Sequence, residues 1–360
     1  MINLLNDDVK ARLRMPYAAR LVPSTDVASL LPLPLAPQVG EIALARVEKI
    51  GKNAALELAD GRRCTLHERD LVIVVFGNRY ATMQFEGYVG TVGNNCDLLS
   101  MGGLCGLVRS KHARSPEPTK LSLLGAVGDR HGSRLNIKTY AHRARGVRPL
   151  PNVVAVCGTS MDAGKTHTAA SLIKGLSVQG LPVAGIKLTG TAAGKDTCNM
   201  LDAGAITALD FVDGGLPSTY MTKLDELLSL NNLLLSLAAE KGAEWAVVEI
   251  ADGLLQGETS ALLQSADYLD TVDAWVFASA GSLGTVGGLG LLRGWGIEPL
   301  AVSGLGSLSP LGMRETEAAT GVTCVTASQI QSGVLNAKLR SIAEARLTSV
   351  GASERVSVVA

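Results

Sequence analysis

The chain has 360 residues, more than one domain ordinarily holds, so its length predicts two domains, each large enough to bury a core of its own. Lysine plus arginine total 33 and aspartate plus glutamate total 33, which leaves no net field to draw the protein onto nucleic acid or an anionic membrane; neither is expected as a partner. The apolar share is 47%, aromatics are only 4%, and there are 40 glycines, a composition of α/β enzymes built from small apolar residues rather than of coiled coils or disulfide scaffolds.

The opening segment, MINLLNDDVKARLRMPYAARL, carries early acids and no continuous apolar run, and nowhere do 18 uncharged apolar residues follow one another. The apolar stretch from Leu30 to Ala36 is broken by Pro32 and Pro34 and followed by Pro37, so it reads as a linker or edge. Residues 1–38 are therefore expected to form an N-terminal extension. The six cysteines, Cys64, Cys96, Cys105, Cys157, Cys198 and Cys324, include no Cys-x-x-Cys pair. That spacing argues against zinc ribbons and disulfide staples and for a reducing compartment, and a cytoplasmic location is expected.

From about Val39 to Thr139 the apolar residues come in short runs, EIALARVEKI, AALEL, LVIVVFG and LSLLGAV, separated by turn residues such as Asp60-Gly61 and Gly102-Gly103. Short runs bounded by turn signals predict a small β-rich domain over 39–145, barrel-like or sandwich-like. Within it, FGNRYATMQFEGYVG gathers Arg79, Tyr80, Phe85 and Tyr88. Such a cluster is either a recognition surface or, more commonly, the core and edge of a small barrel.

After RARGVRPLPN the period changes, which places a boundary near Arg145 to Pro151. VVAVCG reads as a buried strand, AASLIKGLSV as a helix, LPVAGIKLTG as a second strand and LDELLSLNNLLLSLAAEKG as a helix; WAVVEI, AWVFAS and PLAVSG read as further strands. Alternating strands and helices imply an α/β domain with a mostly parallel sheet over 151–346, followed by a tail at 347–360.

Between the first of these strands and its helix stands Gly158-Thr159-Ser160-Met161-Asp162-Ala163-Gly164-Lys165-Thr166, with His167 next on the helix. A glycine-containing turn that opens a helix after a buried strand can cradle phosphates, because loop amides and the helix N-terminus point at negative charge. In that reading residues Gly158 to His167 contact a nucleotide, Lys165 reaches the β- and γ-phosphate oxygens, and Thr166 offers its hydroxyl to magnesium. The strict G-x-x-x-x-G-K-[ST] pattern would need glycine at Thr159; here the glycine lies one residue earlier, at Gly158. Asp162 either contacts ligand or shapes the loop by an Asx-turn, and Cys157 reads as a small buried hydrophobe. A helix-surface His167 without a partner is ordinarily only that.

A G-T-x-x-x-x-G-K-T loop resembles that of dethiobiotin synthetase and related P-loop NTPases, which mostly run ATP-dependent ligation or phosphoryl transfer on small carboxylates and amines. The resemblance extends over about Val153 to Ser303. VAGIKLTGT is similar to that family's second strand, whose lysine faces the phosphates, and implies this role for Lys187. AVVEIADG resembles the strand that ends in a metal-binding glutamate, and implies Glu249 as the ligand. GSLGTVGGLGLLRGWGIEPLAVSG resembles the following loop, helix and strand. Ser303 stands where such enzymes usually show an adenine-reading asparagine, and the substrate loops do not align, so biotin synthesis is not the expected activity. A second resemblance is carried by TGTAAGKDTCNMLDAGAITALDFVDGG, which looks like the stretch after strand two in a bacterial two-domain P-loop family known as a domain of unknown function. That family also carries a β-rich domain before its P-loop, and some members are described as amino-acid N-acetyltransferases.

A γ-phosphate reaction needs a carboxylate to hold magnesium beside the loop hydroxyl. Glu249 and Asp252 sit at the C-terminal end of an expected strand, where open parallel sheets bind ligands, and Asp196 sits in the glycine-containing loop after strand two. A strand-end acid can equally face solvent, and Lys187, flanked by apolar residues, could alternate outward and pair with a surface acid. The expected activity is that of an enzyme, a kinase or a ligase working through an acyl phosphate, with ATP and Mg²⁺ as cofactors and a small molecule as substrate. Lys165, Lys187 and Glu249 are its expected catalytic residues, and Thr166, Glu249, Asp196 and Asp252 its expected metal ligands. Two other functions stay open: a nucleotide-controlled switch or assembly factor, and an acyltransferase whose loop holds the phosphates of coenzyme A. The resemblance to dethiobiotin synthetase also implies a homodimer.

Overall fold

The structure, a computed structural model, describes residues 3–91, 93–146 and 149–345. The expected tail 347–360 and two residues of the expected boundary lie outside the described residues. The chain divides into two compact units that do not follow chain order. One comprises Met1–Arg143 together with Thr189–Cys198 and Asp210–Leu234; the other comprises Ala144–Leu188, Asn199–Leu209 and Leu235–Ala360.

The first unit is built on strands β1 (Ile42–Lys49), β2 (Leu71–Phe76), β3 (Asn95–Leu98), β4 (Leu104–Lys111) and β5 (Thr119–Gly128). β5 pairs with β1, β1 with β2, β2 with β4, β4 with β3, and β3 again with β5, so the hydrogen-bonded ring closes into a small barrel. Only the β2–β4 pairing in this ring is parallel. Its interior follows the period of two that strands impose: Ala43, Ala45 and Val47 on β1, Val72, Val74 and Phe76 on β2, and Leu121 and Leu123 on β5 belong to one buried cluster. Closure leaves these strands without an open edge, the usual answer to the edge problem of a small β domain.

Residues 1–38, expected to be an extension, carry the strand Ser29–Leu31, which pairs antiparallel with the end of β5. The reason two segments distant in sequence join this unit is a buried polar network. Tyr17 donates its hydroxyl to Asp210 Oδ2 at 2.8 Å and lies 3.0 Å from Thr197 Oγ1. Arg20 pairs with Asp210 at 2.8 Å and with Asp213 at 2.9 Å. Burial and the Asp210 carboxylate push the Tyr17 phenol well above its usual range, so it stays a donor.

The second unit carries a six-stranded sheet of β6 (Asn152–Gly158), β7 (Val183–Lys187), β8 (Thr207–Asp210), β9 (Trp245–Glu249), β10 (Ala274–Ala278) and β11 (Ala301–Ser303), in the order β8-β7-β9-β6-β10-β11. The pairings β6–β9, β6–β10, β7–β9 and β10–β11 are parallel. Every residue of β7, β9 and β10 is buried, as a parallel sheet covered on both faces requires. One such cover is helix α1 (Lys165–Ser177), whose Ala169, Leu172, Ile173 and Leu176 share a core with Val154, Val156, Val247 and Val276. Among the described residues no helix is long and apolar enough to cross a membrane.

Candidate functional site

β6 ends at Gly158, and the chain turns through Thr159–Gly164 into α1. Gly158 is required here by close approach: a Cβ would lie 2.8 Å from Lys165 Cγ and 2.7 Å from the Ala278 carbonyl oxygen. The glycine that the strict motif places at 159 is therefore needed one residue earlier, where the Lys165 stem crosses the strand end. Thr159 needs no such freedom; its N–H donates to the Ala278 carbonyl at 3.0 Å and ties the loop to β10.

Gly164 has φ 98° and caps α1, a left-handed conformation that glycine adopts without penalty. Asp162, exposed, also has positive φ, at 63°, which aspartate tolerates better than most side chains. At the start of α1 the Thr168 N–H donates to the Gly164 carbonyl at 2.9 Å. The amides before it lie at the helix start, where a helix leaves its donors without internal partners and concentrates positive potential.

Parallel register then fixes the charged residues. Lys187, the last residue of β7, is the Cα partner of Glu249, the last residue of β9, and Glu249 is also level with Val156 of β6. Thr166, on the first turn of α1, donates its hydroxyl to Glu249 Oε1 at 2.7 Å. Lys165 is 6% exposed, Lys187 8% and Glu249 2%, so the outward, solvated Lys187 that simple alternation allows is not what forms.

Lys165 Nζ donates to the Ser160 carbonyl at 2.6 Å, curled onto its own loop. Burial lowers its ammonium pKa below the usual value, while the Glu249 and Asp252 carboxylates act in the opposite direction. Burial also pushes the Cys157 thiol up to about 12, which suits an inert packing role. His167 is exposed on α1, and Asp252, half-buried at φ 64°, follows β9 in the turn after Glu249.

Asp196 is placed differently from its expected loop. It stands in the first turn of helix α2 (Gly194–Asp202), and its segment belongs to the first unit, where it lines a cavity. Sequence reasoning passed over most of the residues that share that cavity. Their signal is scattered over four chain segments with no common motif.

The residues present fit a magnesium ion. Glu249 Oε2 is buried and has no hydrogen-bond partner, beside an Oε1 already engaged with Thr166. A buried carboxylate oxygen left without a partner is costly, and a cation would satisfy it. No group of three or more His, Cys, Asp or Glu side chains among the described residues could hold a metal by itself. Magnesium needs none, since it is ordinarily held by one or two carboxylates together with phosphate oxygens and water.

A buried strand, a glycine turn, a lysine and a hydroxyl opening the helix, and a carboxylate on the neighbouring parallel strand define a P-loop nucleotide-binding α/β fold. No protein-family model matches the chain, and no curated protein is significantly similar to it in sequence. Among solved structures it is similar to the signal recognition particle 54 kDa protein of Aeropyrum pernix in complex with GDP, at 18% identity and TM-score 0.37, over 57% of this chain and 51% of that one. It is also similar to the receptor FtsY of Elizabethkingia anophelis in complex with GDP, at 14% identity and TM-score 0.37, over 52% of this chain and 60% of that one. Chloroplast FtsY of Physcomitrella patens follows at 12% identity and TM-score 0.35, over 51% and 59%. The chain thus spans between 51% and 60% of the length of these structures. Likenesses this distant carry no functional argument, and the class rests on the loop geometry itself.

Proposed function

We propose that this protein is an ATP- and magnesium-dependent enzyme that activates a small metabolite by γ-phosphoryl transfer, as a kinase or as a ligase working through an acyl phosphate. The observation that carries the reading is the Thr166–Glu249 hydrogen bond with the second Glu249 oxygen buried and unengaged beside it. The buried Lys165 and Lys187 support it, and the dethiobiotin synthetase-like motifs from Val153 to Ser303 favour ATP and this reaction class over other nucleotide chemistry.

In this reading the α1 amides hold the β-phosphate, and Lys165 exchanges the Ser160 carbonyl for phosphate oxygens. Thr166 and Glu249 are the residues that would hold magnesium, with Asp252 close behind in the chain. Bound there, the ion would neutralise charge on the phosphate oxygens. A substrate carboxylate oxygen, or a hydroxyl oxygen that gives up its proton to solvent, attacks the γ-phosphorus; an O–P bond forms, the bond to the bridging oxygen breaks, and ADP leaves with the electron pair. Lys165 and Lys187 stabilise the charge that develops, so catalysis is positioning and electrostatics rather than covalent chemistry by the protein. A homodimer and a cytoplasmic location go with the reading.

The test is calorimetry with ATP, ADP, GTP and acetyl-coenzyme A, with and without magnesium, on wild type and Lys165→Ala, followed by a substrate screen for turnover. Magnesium-dependent ATP binding lost in the variant supports the reading. Metal-independent preference for acetyl-coenzyme A overturns it in favour of acyl transfer.

A further inference from the structure

The strand order of the second unit gives a bound nucleotide a direction. The phosphate loop follows β6, and Glu249, at the end of β9, stands on one side of it. The γ-phosphate and its metal belong on that side. The nucleoside, at the other end of the triphosphate, then leaves toward β10 and β11, the strands on the opposite side. Two loops stand at the ends of these strands. Residues 279–281 lead from β10 into helix α3 (Ser282–Gly294), and residues 304–309 lead from β11 into helix α4 (Pro310–Thr320).

Both loops adjoin the phosphate loop. Leu305 N–H donates to the Ala163 carbonyl at 3.1 Å, and a Cβ on Gly164 would meet Gly304 Cα at 2.9 Å. A Cβ on Gly284, in the first turn of α3, would lie 3.7 Å from Thr159 Cγ2. Ser282 Oγ donates to Glu315 Oε2 at 3.1 Å and joins the start of α3 to α4. Leu283 on this turn is 85% exposed, and Leu308 and Leu305 on the second loop are 79% and 48% exposed. One exposed leucine is ordinary, but three on adjoining segments beside a phosphate site form a patch that a ligand can cover.

The polar groups of the same segments are engaged locally. Ser279 Oγ donates to the Gly281 carbonyl at 3.2 Å, Ser307 Oγ donates to the Gly304 carbonyl at 2.8 Å, and Ser309 Oγ accepts the Gly312 N–H at 3.1 Å. Ser303 is buried. The amides of Leu305, Gly306 and Ser307 donate to the carbonyls of Ala163, Ser279 and Gly304. Residues 279–284 and 303–309 include no amide or carboxylate side chain. Adenine and guanine differ in the donors and acceptors on their edges, whereas both offer a flat face to apolar contact. A site rejects the wrong base strongly only where its own buried polar groups would be left unpaired.

We infer that Leu283, Leu305 and Leu308 hold the nucleobase by apolar contact with its face, so that the site takes purine nucleoside triphosphates with little discrimination between adenine and guanine. The inference rests on the proposed function and adds that its nucleotide is selected by the phosphates rather than by the base.

The experiment is titration calorimetry of the full chain in magnesium with ATP, GTP and inorganic triphosphate, on wild type and on the double variant Leu283→Ser, Leu308→Ser. Both side chains lie in solvent, so the variant should keep its fold, which circular dichroism checks. The expected result is that ATP and GTP bind within about tenfold of each other, and both more tightly than inorganic triphosphate. The variant should weaken both nucleotides to a similar degree, by about fivefold or more, and leave inorganic triphosphate unchanged. A larger preference for ATP over GTP, inorganic triphosphate binding as tightly as ATP, or wild-type nucleotide affinity in the variant overturns the inference and leaves the proposed function standing. A larger preference for GTP, or failure of all three ligands to bind wild type, overturns both.

Discussion

Thr166 and Glu249, 83 residues apart, are joined by a 2.7 Å hydrogen bond that links the start of the phosphate-loop helix to the end of the neighbouring parallel strand. Because Thr166 uses only one oxygen of the carboxylate, the other is left buried and aimed at no protein donor. Removing the hydroxyl or the charge should therefore act mainly on metal binding. In Thr166→Ala, ATP affinity in the presence of magnesium should fall at least tenfold, while affinity measured in excess chelator changes little. Titration calorimetry under both conditions checks this.

Lys165 links pH to nucleotide affinity. Its ammonium pKa is lowered by burial in the free protein, and phosphates bind the charged form. Binding therefore restores the proton, and affinity should be full below the lowered pKa and decline as pH rises through it, earlier than the ordinary lysine value of about 10.4 would give. Proton uptake, read from binding heats in buffers of different ionisation enthalpy, should grow over the same window. Lys165→Ala should abolish both the uptake and turnover, with its circular dichroism unchanged.

Arg20 is the cation between two buried carboxylates, Asp210 and Asp213. Burial already raises the Asp213 pKa, and Arg20 acts against that shift. Arg20→Ala leaves both acids without this partner and should cost about 3–5 kcal/mol, the usual penalty for breaking a buried pair from one side. Urea denaturation of wild type and variant measures it. Loss of less than about 1 kcal/mol, the worth of an exposed pair, would contradict the buried network.

Five of the six cysteines are buried and only Cys198 is exposed. Burial holds the Cys157 thiol near 12 and the Cys324 thiol near 11, far from reactive thiolate at neutral pH. Iodoacetamide at neutral pH should label one thiol per native chain, at Cys198, and six after unfolding; peptide mass spectrometry identifies the site.

The strands VVAVCG, WAVVEI and AWVFAS were legible because each is a short apolar run between turn signals, and Lys165 and Thr166 because the loop motif is local. Lys187 was harder: period-two alternation permits an exposed lysine, yet in a sheet covered on both faces alternation no longer distinguishes inside from outside. The allocation of Thr189–Cys198 and Asp210–Leu234 to the first unit was not legible at all. It depends on contacts such as Tyr17 to Asp210, 193 residues apart, which no periodic pattern encodes. Asp196 was misread as loop for a related reason, since the helix it opens, GKDTCNMLD, is short and carries few apolar residues to mark a buried face.

The measurement that bears most directly on the central claim is the magnesium dependence of ATP binding in wild type and in Glu249→Gln, by calorimetry on the full chain. If Glu249 holds the ion with Thr166, wild type binds ATP far more tightly with magnesium than without, and the variant loses most of that difference. Equal affinity with and without magnesium in wild type, or an undiminished metal dependence in Glu249→Gln, would contradict the account.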